Sequence, residues 1–237
     1  MDILQFHREF KIAFDKTDSS AYPEFLDGEI DYYLNEAQDR FIKQRYGLNN
    51  IYGAGYEQMQ KRTDDLKELV ISRYTSLSTV PYYNNVYRAA LADLYTDEGQ
   101  TIAATEDYML FIKALSQTCK DGCCNWGDLK LVQQDDISRV INDPFNRPTI
   151  SRPVMIFEDG DIFVWTEAGA SIENFLVTFL KRPAQMNKGT YGTPITQCEL
   201  GEYTHKELVQ MAVKIALENI ESPRQQTQEI TNVQKME

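Results

Sequence analysis

The chain has 237 residues, of which 42% are hydrophobic and 25% are charged, a composition typical of a folded protein with a sizeable core. Its formal net charge is −12, and it has no run rich in lysine and arginine. An acidic surface repels phosphate, so sequence-specific DNA or RNA binding is excluded. The 14 tyrosines favour surfaces that are buried in protein–protein contacts.

The first residues, MDILQFHREFKIAF, lack the apolar core and the small-residue cleavage site of a signal peptide. No apolar run has the length of a membrane span, so we expect synthesis in a cytoplasm and no membrane contact. The spacing of the cysteines fits no common zinc site, and the two histidines are distant from them in sequence. We therefore expect reduced thiols that pack as small apolar groups, at Cys119, Cys123, Cys124 and Cys198.

Three helices are predicted in the N-terminal third, which suggests an antiparallel bundle. The first covers residues 2 to about 16, and the third covers about 57 to 74, with a glycine-containing loop before it. The apolar residues available for burial in the first helix are Ile3, Leu4, Phe6, Phe10, Ile12 and Phe14.

The second predicted helix covers Asp27 to Gly47 and is amphipathic. We expect Asp27 to cap its first turn and Gly47 to end it in the left-handed conformation. Asn35, Gln38 and Asp39 share the side opposite to the apolar face, which is formed by Ile30, Leu34, Ala37 and Phe41. Such a helix needs a partner surface on its apolar side.

The middle of the chain is predicted to be mainly β. Residues 79–105 are ambiguous between a short helix and an extended edge strand. A hairpin is expected around the Asp159-Gly160 turn, and a long loop is expected over 184–202. The other elements predicted here are strands over 107–117, 128–134 and 172–180 and a short helix over 135–142.

The last helix begins at a predicted capping box, in which Thr204 and Glu207 satisfy each other's backbone donors. We expect it to end at Ser222-Pro223. The remaining residues are polar with a few apolar anchors, a pattern typical of a tail that becomes ordered on a partner. The candidate docking residues in this tail are Pro223, Arg224, Ile230, Val233 and Met236.

This layout predicts an α+β fold. Helices at both ends of a chain bury their apolar faces by meeting each other, so the β segment is an insertion. We expect a helical bundle from residues 1–76 and 203–222, an antiparallel β subdomain over 77–202 and a docking tail over 223–237.

Enzyme signatures are absent from the sequence: it contains no dinucleotide fingerprint, phosphate-binding loop, nucleophile elbow or His-Glu-x-x-His motif. The Gly53-Ala54-Gly55 stretch is expected to be a flexible link, and Asp135-Asp136 a helix N-terminus. We expect His7 and His205 to be surface or capping residues. The sequence therefore predicts no catalytic site, no cofactor and no metal.

Four stretches, taken in order, resemble a known family: EIDYYLNEAQDRFIKQRY at Glu29–Tyr46, DDISRVINDPFNRP at Asp135–Pro148, LKRP at Leu180–Pro183 and CELGEYTHKELV at Cys198–Val209. Together they are similar to the head-to-tail connector (adaptor or ring) proteins of short-tailed, crAss-like bacteriophages. The resemblance extends from about residue 25 to 222.

The resemblance implies a non-enzymatic virion protein that forms a ring of about twelve copies below the portal. The implied partners are further copies of the chain, the portal protein, the next ring or tail protein, and genomic DNA that passes without sequence-specific contact. The tail is expected to dock on the portal, and the acidic charge suits a DNA channel. The alternatives are a lower neck or tail ring and a non-viral protein-interaction module.

Overall fold

A computed structural model describes residues 1–17, 24–47, 59–81, 85–95, 108–189 and 192–219. The described residues contain both helices and a β-sheet, which confirms the predicted α+β class. The chain divides into a helical unit, Met1–Leu69 with Pro183–Glu237, and a β unit, Val70–Arg182. The boundaries predicted from sequence lie at 76/77 and 202/203. The two divisions of the chain differ at residues 70–76 and 183–202.

The helices are α1 (Ile3–Thr17), α2 (Asp27–Tyr46), α3 (Gln60–Leu66), α4 (Ile137–Asn142) and α5 (His205–Asn219), with 3-10 turns at Lys67–Leu69 and Glu202–Thr204. Helices α1, α2 and α5 contact one another, and α3 contacts α2. None of the helices within the described ranges is both long enough and apolar enough to span a membrane.

Helix α1 begins at a reciprocal cap that its first residues encode. The Gln5 backbone N–H donates to the Asp2 carboxylate at 2.7 Å, and the Asp2 backbone N–H donates to the Gln5 side chain at 3.1 Å. The helix buries Ile3, Phe6, Phe10 and Phe14. Leu4 and Ile12 are exposed, so their predicted burial is wrong: they lie on the side of the helix that faces solvent.

The apolar face and the bounds of α2 are confirmed, but the predicted capping at both ends is wrong. Asp27 does not cap the helix, since its carboxylate binds the Lys188 ammonium at 2.8 Å. The Glu29 carboxylate instead accepts the Leu26 backbone N–H at 2.8 Å. Gly47 has an extended backbone with φ −69°, not the left-handed one. The buried apolar residues are Ile30, Leu34, Ala37 and Phe41.

The polar side of α2, opposite to its apolar face, is contacted by residues 183–189, which form neither helix nor a named strand. Asn35 makes two hydrogen bonds with the Met186 backbone, accepting from its N–H at 2.7 Å and donating to its carbonyl at 3.0 Å. Gln38 is buried and donates to the Ala184 carbonyl at 3.3 Å. These side-chain amides hydrogen-bond to backbone groups that belong to no helix or strand. The part of the predicted loop that contains Ala184 and Met186 is therefore packed on α2.

A buried ion cluster joins three helices. The Arg45 guanidinium of α2 lies 2.9 Å from the Asp65 carboxylate of α3 and also binds the Glu207 carboxylate of α5. Lys61 lies 3.3 Å from Glu207. Burial raises the pKa of Asp65, while the nearby Arg45 charge opposes that shift. The Glu207 carboxylate therefore binds both Arg45 and Lys61.

The predicted capping box at the start of α5 is not formed. The Thr204 hydroxyl donates to the Gly201 carbonyl at 2.8 Å, within the 3-10 turn that precedes the helix. Glu207 faces the ion cluster instead. The cations of Arg45 and Lys61 bind the Glu207 carboxylate more strongly than a backbone N–H would, because hydrogen bonds between charged groups are the stronger ones.

The third predicted helix is wrong in its second half. The helix ends at Leu69, and the chain continues directly as a strand from Val70. Residues 70–75 read VISRYT, rich in β-branched and aromatic side chains, which favour a strand. Tertiary pairing decides the outcome here, because Val70 is the register partner of Leu180.

The strands are β1 (Val70–Thr79), β2 (Val86–Tyr95), β3 (Tyr108–Lys120), β4 (Cys123–Asp128), β5 (Lys130–Leu131), β6 (Val154–Glu158), β7 (Asp161–Trp165) and β8 (Ser171–Lys181). They form one sheet in the order β4-β3-β8-β1-β2-β7-β6-β5, antiparallel except between β5 and β6. The strand predicted over 107–117, the last β strand and the hairpin are confirmed. The ambiguous 79–105 stretch contains β2, which lies between β1 and β7 and is not an edge.

One continuous stretch closes this sheet. Strand β4 pairs with β3, and β5, only two residues later, pairs with β6 at the other end of the strand order. The backbone N–H of Leu129 donates to Ala114 of β3, and that of Lys130 donates to Pro153 beside β6. The sheet is therefore a barrel, which removes the open edges that a flat sheet would expose.

The β unit has an apolar core cluster, and hydroxyl side chains of β3 are buried as well. Ser116 and Thr118 of β3 are fully buried, and their hydroxyl oxygens lie 3.2 Å apart, so each has a partner. The core cluster is formed by Ala89, Ala114, Leu129, Met155, Ile162, Val164, Ile172, Phe175, Val177 and Phe179. Strands β7 and β8 supply residues at a spacing of two, Ile162 and Val164 and then Phe175, Val177 and Phe179, as the two-residue period requires.

Two hairpin turns each contain an Asp-Gly dipeptide. Asp159 and Gly160 have φ values of 52° and 78° between β6 and β7, and Asp121 and Gly122 have 52° and 80° between β3 and β4. Positive φ at both central positions matches the twist of the flanking strands. The sequence signal for the first turn is thereby confirmed.

We predict that Phe41→Asp unfolds the helical unit. Phe41 is 1% exposed, so an unpaired carboxylate would be buried against α5 and its neighbours, costing several kcal/mol. Gln44→Asp, which adds the same charge at an exposed position of α2, is the matched control. Thermal melting followed by circular dichroism measures both, and an unchanged melting temperature for Phe41→Asp would contradict the prediction.

We predict that Arg45→Met destabilises the chain by about 3–5 kcal/mol, because it leaves the buried Asp65 carboxylate without its cation. The double variant Arg45→Met/Asp65→Leu removes both charges and should recover much of the loss. Urea unfolding of the wild type, both single variants and the double variant measures the coupling. Additive effects would show that Arg45 and Asp65 do not act as a pair.

Candidate functional site

The histidines are buried structural residues, so their predicted surface positions are wrong. His7 Nε2 lies 2.7 Å from the Asp31 carboxylate. His205 Nε2 donates to the Leu200 carbonyl at 2.9 Å, and the Phe6 ring packs 4.8 Å from the imidazole. Burial lowers the pKa of His205, so the neutral ring is favoured. Both imidazoles thus serve the packing of the helical unit.

The adjacent carboxylates Asp135 and Asp136 precede α4, as predicted. Asp136 occupies the N-cap position, and its carboxylate lies 3.0 Å from Arg139 in the first turn. An exposed pair of this kind supports a short helix and contributes at most about 1 kcal/mol. The carboxylates of Asp135 and Asp136 therefore have a structural role at the start of α4.

The cysteines depart from the prediction of four reduced thiols. Cys119 and Cys124 face each other across the β3–β4 hairpin and form a disulfide. The two-residue turn at Asp121-Gly122 sets the register of β3 and β4, and in this register Cys119 and Cys124 are directly opposite each other. Glu173 lies within 4.8 Å of both sulfurs, but sulfurs bonded to each other are not thiolate ligands. Cys123 and Cys198 are free thiols.

Among the described residues of the β unit, the most exposed aromatic side chain is that of Phe145, which is 86% exposed. It lies in the connection between β5 and β6, after α4, within the stretch DPFNRP. Asp143 holds this turn: its carboxylate accepts the Phe145 backbone N–H at 2.9 Å and the Asn146 amide at 2.6 Å. The Arg147 backbone N–H donates to the Asp143 carbonyl at 2.9 Å.

A groove of about 370 Å³ lies beside Phe145. Its lining includes the side chains of Lys130, Arg147 and Arg152 and a single carboxylate, Asp128. The groove is therefore locally basic on a chain whose net charge is −12. We call Phe145 and these three cations the Phe145 surface.

A second exposed apolar surface precedes and enters α2. Leu26 is 71% exposed and Tyr32 is 61% exposed. Glu29 lies between them in sequence, at a spacing of three from each, which forms a single oblique row along the helix. We call Leu26, Glu29 and Tyr32 the α2 row. It combines apolar area with negative charge.

The predicted docking residues Pro223, Arg224, Ile230, Val233 and Met236 lie outside the described residues, as does the predicted helix end at Ser222-Pro223. The described part of α5 ends at Asn219. The Gly53-Ala54-Gly55 link also lies outside the described residues. The tail and the link stay predictions.

Sequence comparison supplies the family. The profile of the family described as phage tail ring protein 3/4 matches residues 1–229. The chain belongs to the phage tail ring protein 3/4 family. It is also similar to "Ring protein 4/5" of Bacteroides phage crAss001, with 24% identity over 235 residues, covering 91% of this chain and 92% of that protein.

Membership makes the chain a structural ring protein of a phage virion, with oligomeric ring assembly. This confirms the resemblance to crAss-like phage ring proteins. The match includes both units described above and ends before Ile230, Val233 and Met236 of the tail. Sequence reasoning missed the Phe145 and α2 surfaces, although a phenylalanine between two prolines and a leucine before a helix cap were visible signals.

We predict that Cys123 reacts with iodoacetamide at pH 8 at least about tenfold faster than Cys198. Cys123 is exposed, whereas burial raises the pKa of Cys198 to about 11 and its thiol points to Gln38. Peptide mass spectrometry of the native protein measures both rates. In urea the two thiols should react alike, and equal rates in the native protein would contradict the prediction.

Proposed function

We propose that this chain is the subunit of a head-to-tail adaptor ring that joins the portal to the tail of a short-tailed phage. The observation that carries the proposal is the ring-family match over residues 1–229. In such an assembly about twelve copies pack heterologously, each on the next, until the rotation closes. The partners are further copies of the chain, the portal above and the next ring or tail protein below.

Two observations support a passive, non-enzymatic role. Both histidines are engaged in packing contacts, and the carboxylate pair at Asp135 and Asp136 supports a helix. The net charge of −12 suits a channel that genomic DNA passes through without sticking, because like charges repel. The function is therefore mechanical: the ring connects its neighbours and lines the DNA path at the head–tail junction.

A second candidate is a lower ring of the neck or tail. The numbering in the family description, 3/4, and in the relative's name, 4/5, favours it, because these numbers do not begin at one. A lower ring would use the same closed heterologous packing and the same acidic channel. It differs only in its neighbours. A non-viral interaction module loses its basis, since the family is a phage family.

Cryo-electron microscopy of the virion separates the two candidates. The adaptor proposal expects density for this chain in a closed ring in direct contact with the portal. A closed ring separated from the portal by another protein would favour the lower ring. A particle without the chain would overturn both.

We predict that deleting residues 223–237 leaves the fold intact but abolishes docking on the upstream ring. The tail is polar with spaced apolar anchors, which is typical of a segment that orders on its partner. Circular dichroism should show an unchanged melting temperature, while co-purification with the portal protein is lost.

Point variants within the tail test whether the anchors carry this binding. Replacing Ile230, Val233 and Met236 together by serine should reproduce the deletion. Replacing Gln225, Gln226 and Gln228 by serine changes the same number of tail residues and should leave co-purification intact. Unchanged binding by the deleted chain would overturn the role of the tail.

A further inference from the structure

The Phe145 side chain is presented to solvent by a turn that fixes its backbone. Asp143 accepts hydrogen bonds from the Phe145 backbone N–H and from the Asn146 side chain, and these bonds lower the pKa of the Asp143 carboxyl. The carboxylate that holds the turn is therefore charged at neutral pH. An aromatic ring that is held 86% exposed leaves apolar area in water, which favours burial against a partner.

The connection that carries this turn is anchored to the barrel on its far side. Gly127 of β4 lets the Ser151 carbonyl approach closely, since a Cβ at position 127 would lie 2.8 Å from that oxygen. The backbone of Thr149 and Arg152 closes a small bridge with two hydrogen bonds of 3.2 Å. These contacts fix the backbone of the connection, and an anchor on a fixed backbone loses less entropy on binding than one on a free segment.

The charge around Phe145 indicates the chemistry of its partner. Lys130, Arg147 and Arg152 line the groove with the Asp128 carboxylate, and the Asp143 carboxylate lies beside the Phe145 backbone, so cations outnumber carboxylates here by three to two. The nearby Glu167 is bound mainly by Lys120, at 2.7 Å, and only more weakly influenced by Arg147. The surface therefore favours a partner that offers apolar side chains beside carboxylates.

The same chain offers such a surface. In the α2 row, Leu26 and Tyr32 are exposed apolar residues, and Glu29 supplies a carboxylate. Glu24, beside Leu26, adds another, although it binds Lys11 at 2.5 Å. A closed ring of identical subunits needs two different, complementary surfaces on every copy, because each copy contacts one neighbour on each side.

We propose that the Phe145 surface of one copy binds the α2 row of the neighbouring copy, and that this contact is part of the subunit interface of the ring. The proposal rests on ring assembly and not on which ring of the neck or tail the chain forms. Phe145 is the central anchor, packed on Leu26 and Tyr32, and the surrounding cations face Glu29.

Site-specific photo-crosslinking in assembled phage particles tests the contact. The full chain carries benzoylphenylalanine at position 145, which conserves the aromatic ring, and is supplied during infection to a phage lacking its own copy. After irradiation, mass spectrometry maps the adduct. We expect an adduct with a second copy of this chain within residues 24–36.

Every other result overturns the proposal. An adduct with a different virion protein would assign Phe145 to a contact between rings. An adduct elsewhere on a second copy would reject the α2 row, and assembled particles without an adduct would leave Phe145 outside any interface. Cryo-electron microscopy of the same particles locates the ring independently, so failure of the adaptor proposal is distinguishable from failure of this one.

Substitutions give a second readout. Phe145→Asp and Tyr32→Asp should each weaken subunit association roughly 30-fold, as removal of a central interface anchor does. Both positions are exposed, so the melting temperature should not change. Leu4→Asp, at a 56% exposed leucine outside both surfaces, is the matched control and should enter particles at the wild-type level. Normal incorporation of Phe145→Asp would overturn the proposal.

Discussion

Helix α2 needs partners on two sides, and the C-terminal part of the chain supplies both. Helix α2 contacts α5, and its polar side is hydrogen-bonded to the backbone of Ala184 and Met186. Neither partner is available until the chain has passed through the whole β unit. The helical unit is therefore completed only when the two ends of the chain meet, which makes the β unit an insertion.

The sheet topology suits an insertion of this kind. Strand β1, by which the chain enters the β unit, and strand β8, by which it leaves, are hydrogen-bonded neighbours, with Val70 opposite Leu180. The stretch Cys123–Leu131 then closes the sheet by pairing at both ends of the strand order. A closed barrel has its own apolar interior, so it needs no edge partner.

Several charged and titratable side chains of the described residues hold the helical unit together. Arg45, Asp65 and Glu207 tie three helices together, and His7 and His205 make buried hydrogen bonds. A buried pair of this type contributes specificity more than net stability, because desolvation offsets much of the attraction. This use of charge agrees with membership in a family of structural phage ring proteins.

Sequence alone was sufficient to predict the α+β class, the apolar face of α2, the hairpin at Asp159-Gly160 and the resemblance to phage ring proteins. These features depend on local periodicity, on turn chemistry and on the order of stretches along the chain. Tertiary structure alone decided that β1 begins at Val70, that Asn35 and Gln38 face protein rather than solvent, and that Cys119 and Cys124 are paired. The disulfide and the contacts of Asn35 and Gln38 depend on strand register or on partners distant in sequence. At residues 70–75 the local composition favours a strand, and pairing of Val70 with Leu180 decides where it begins.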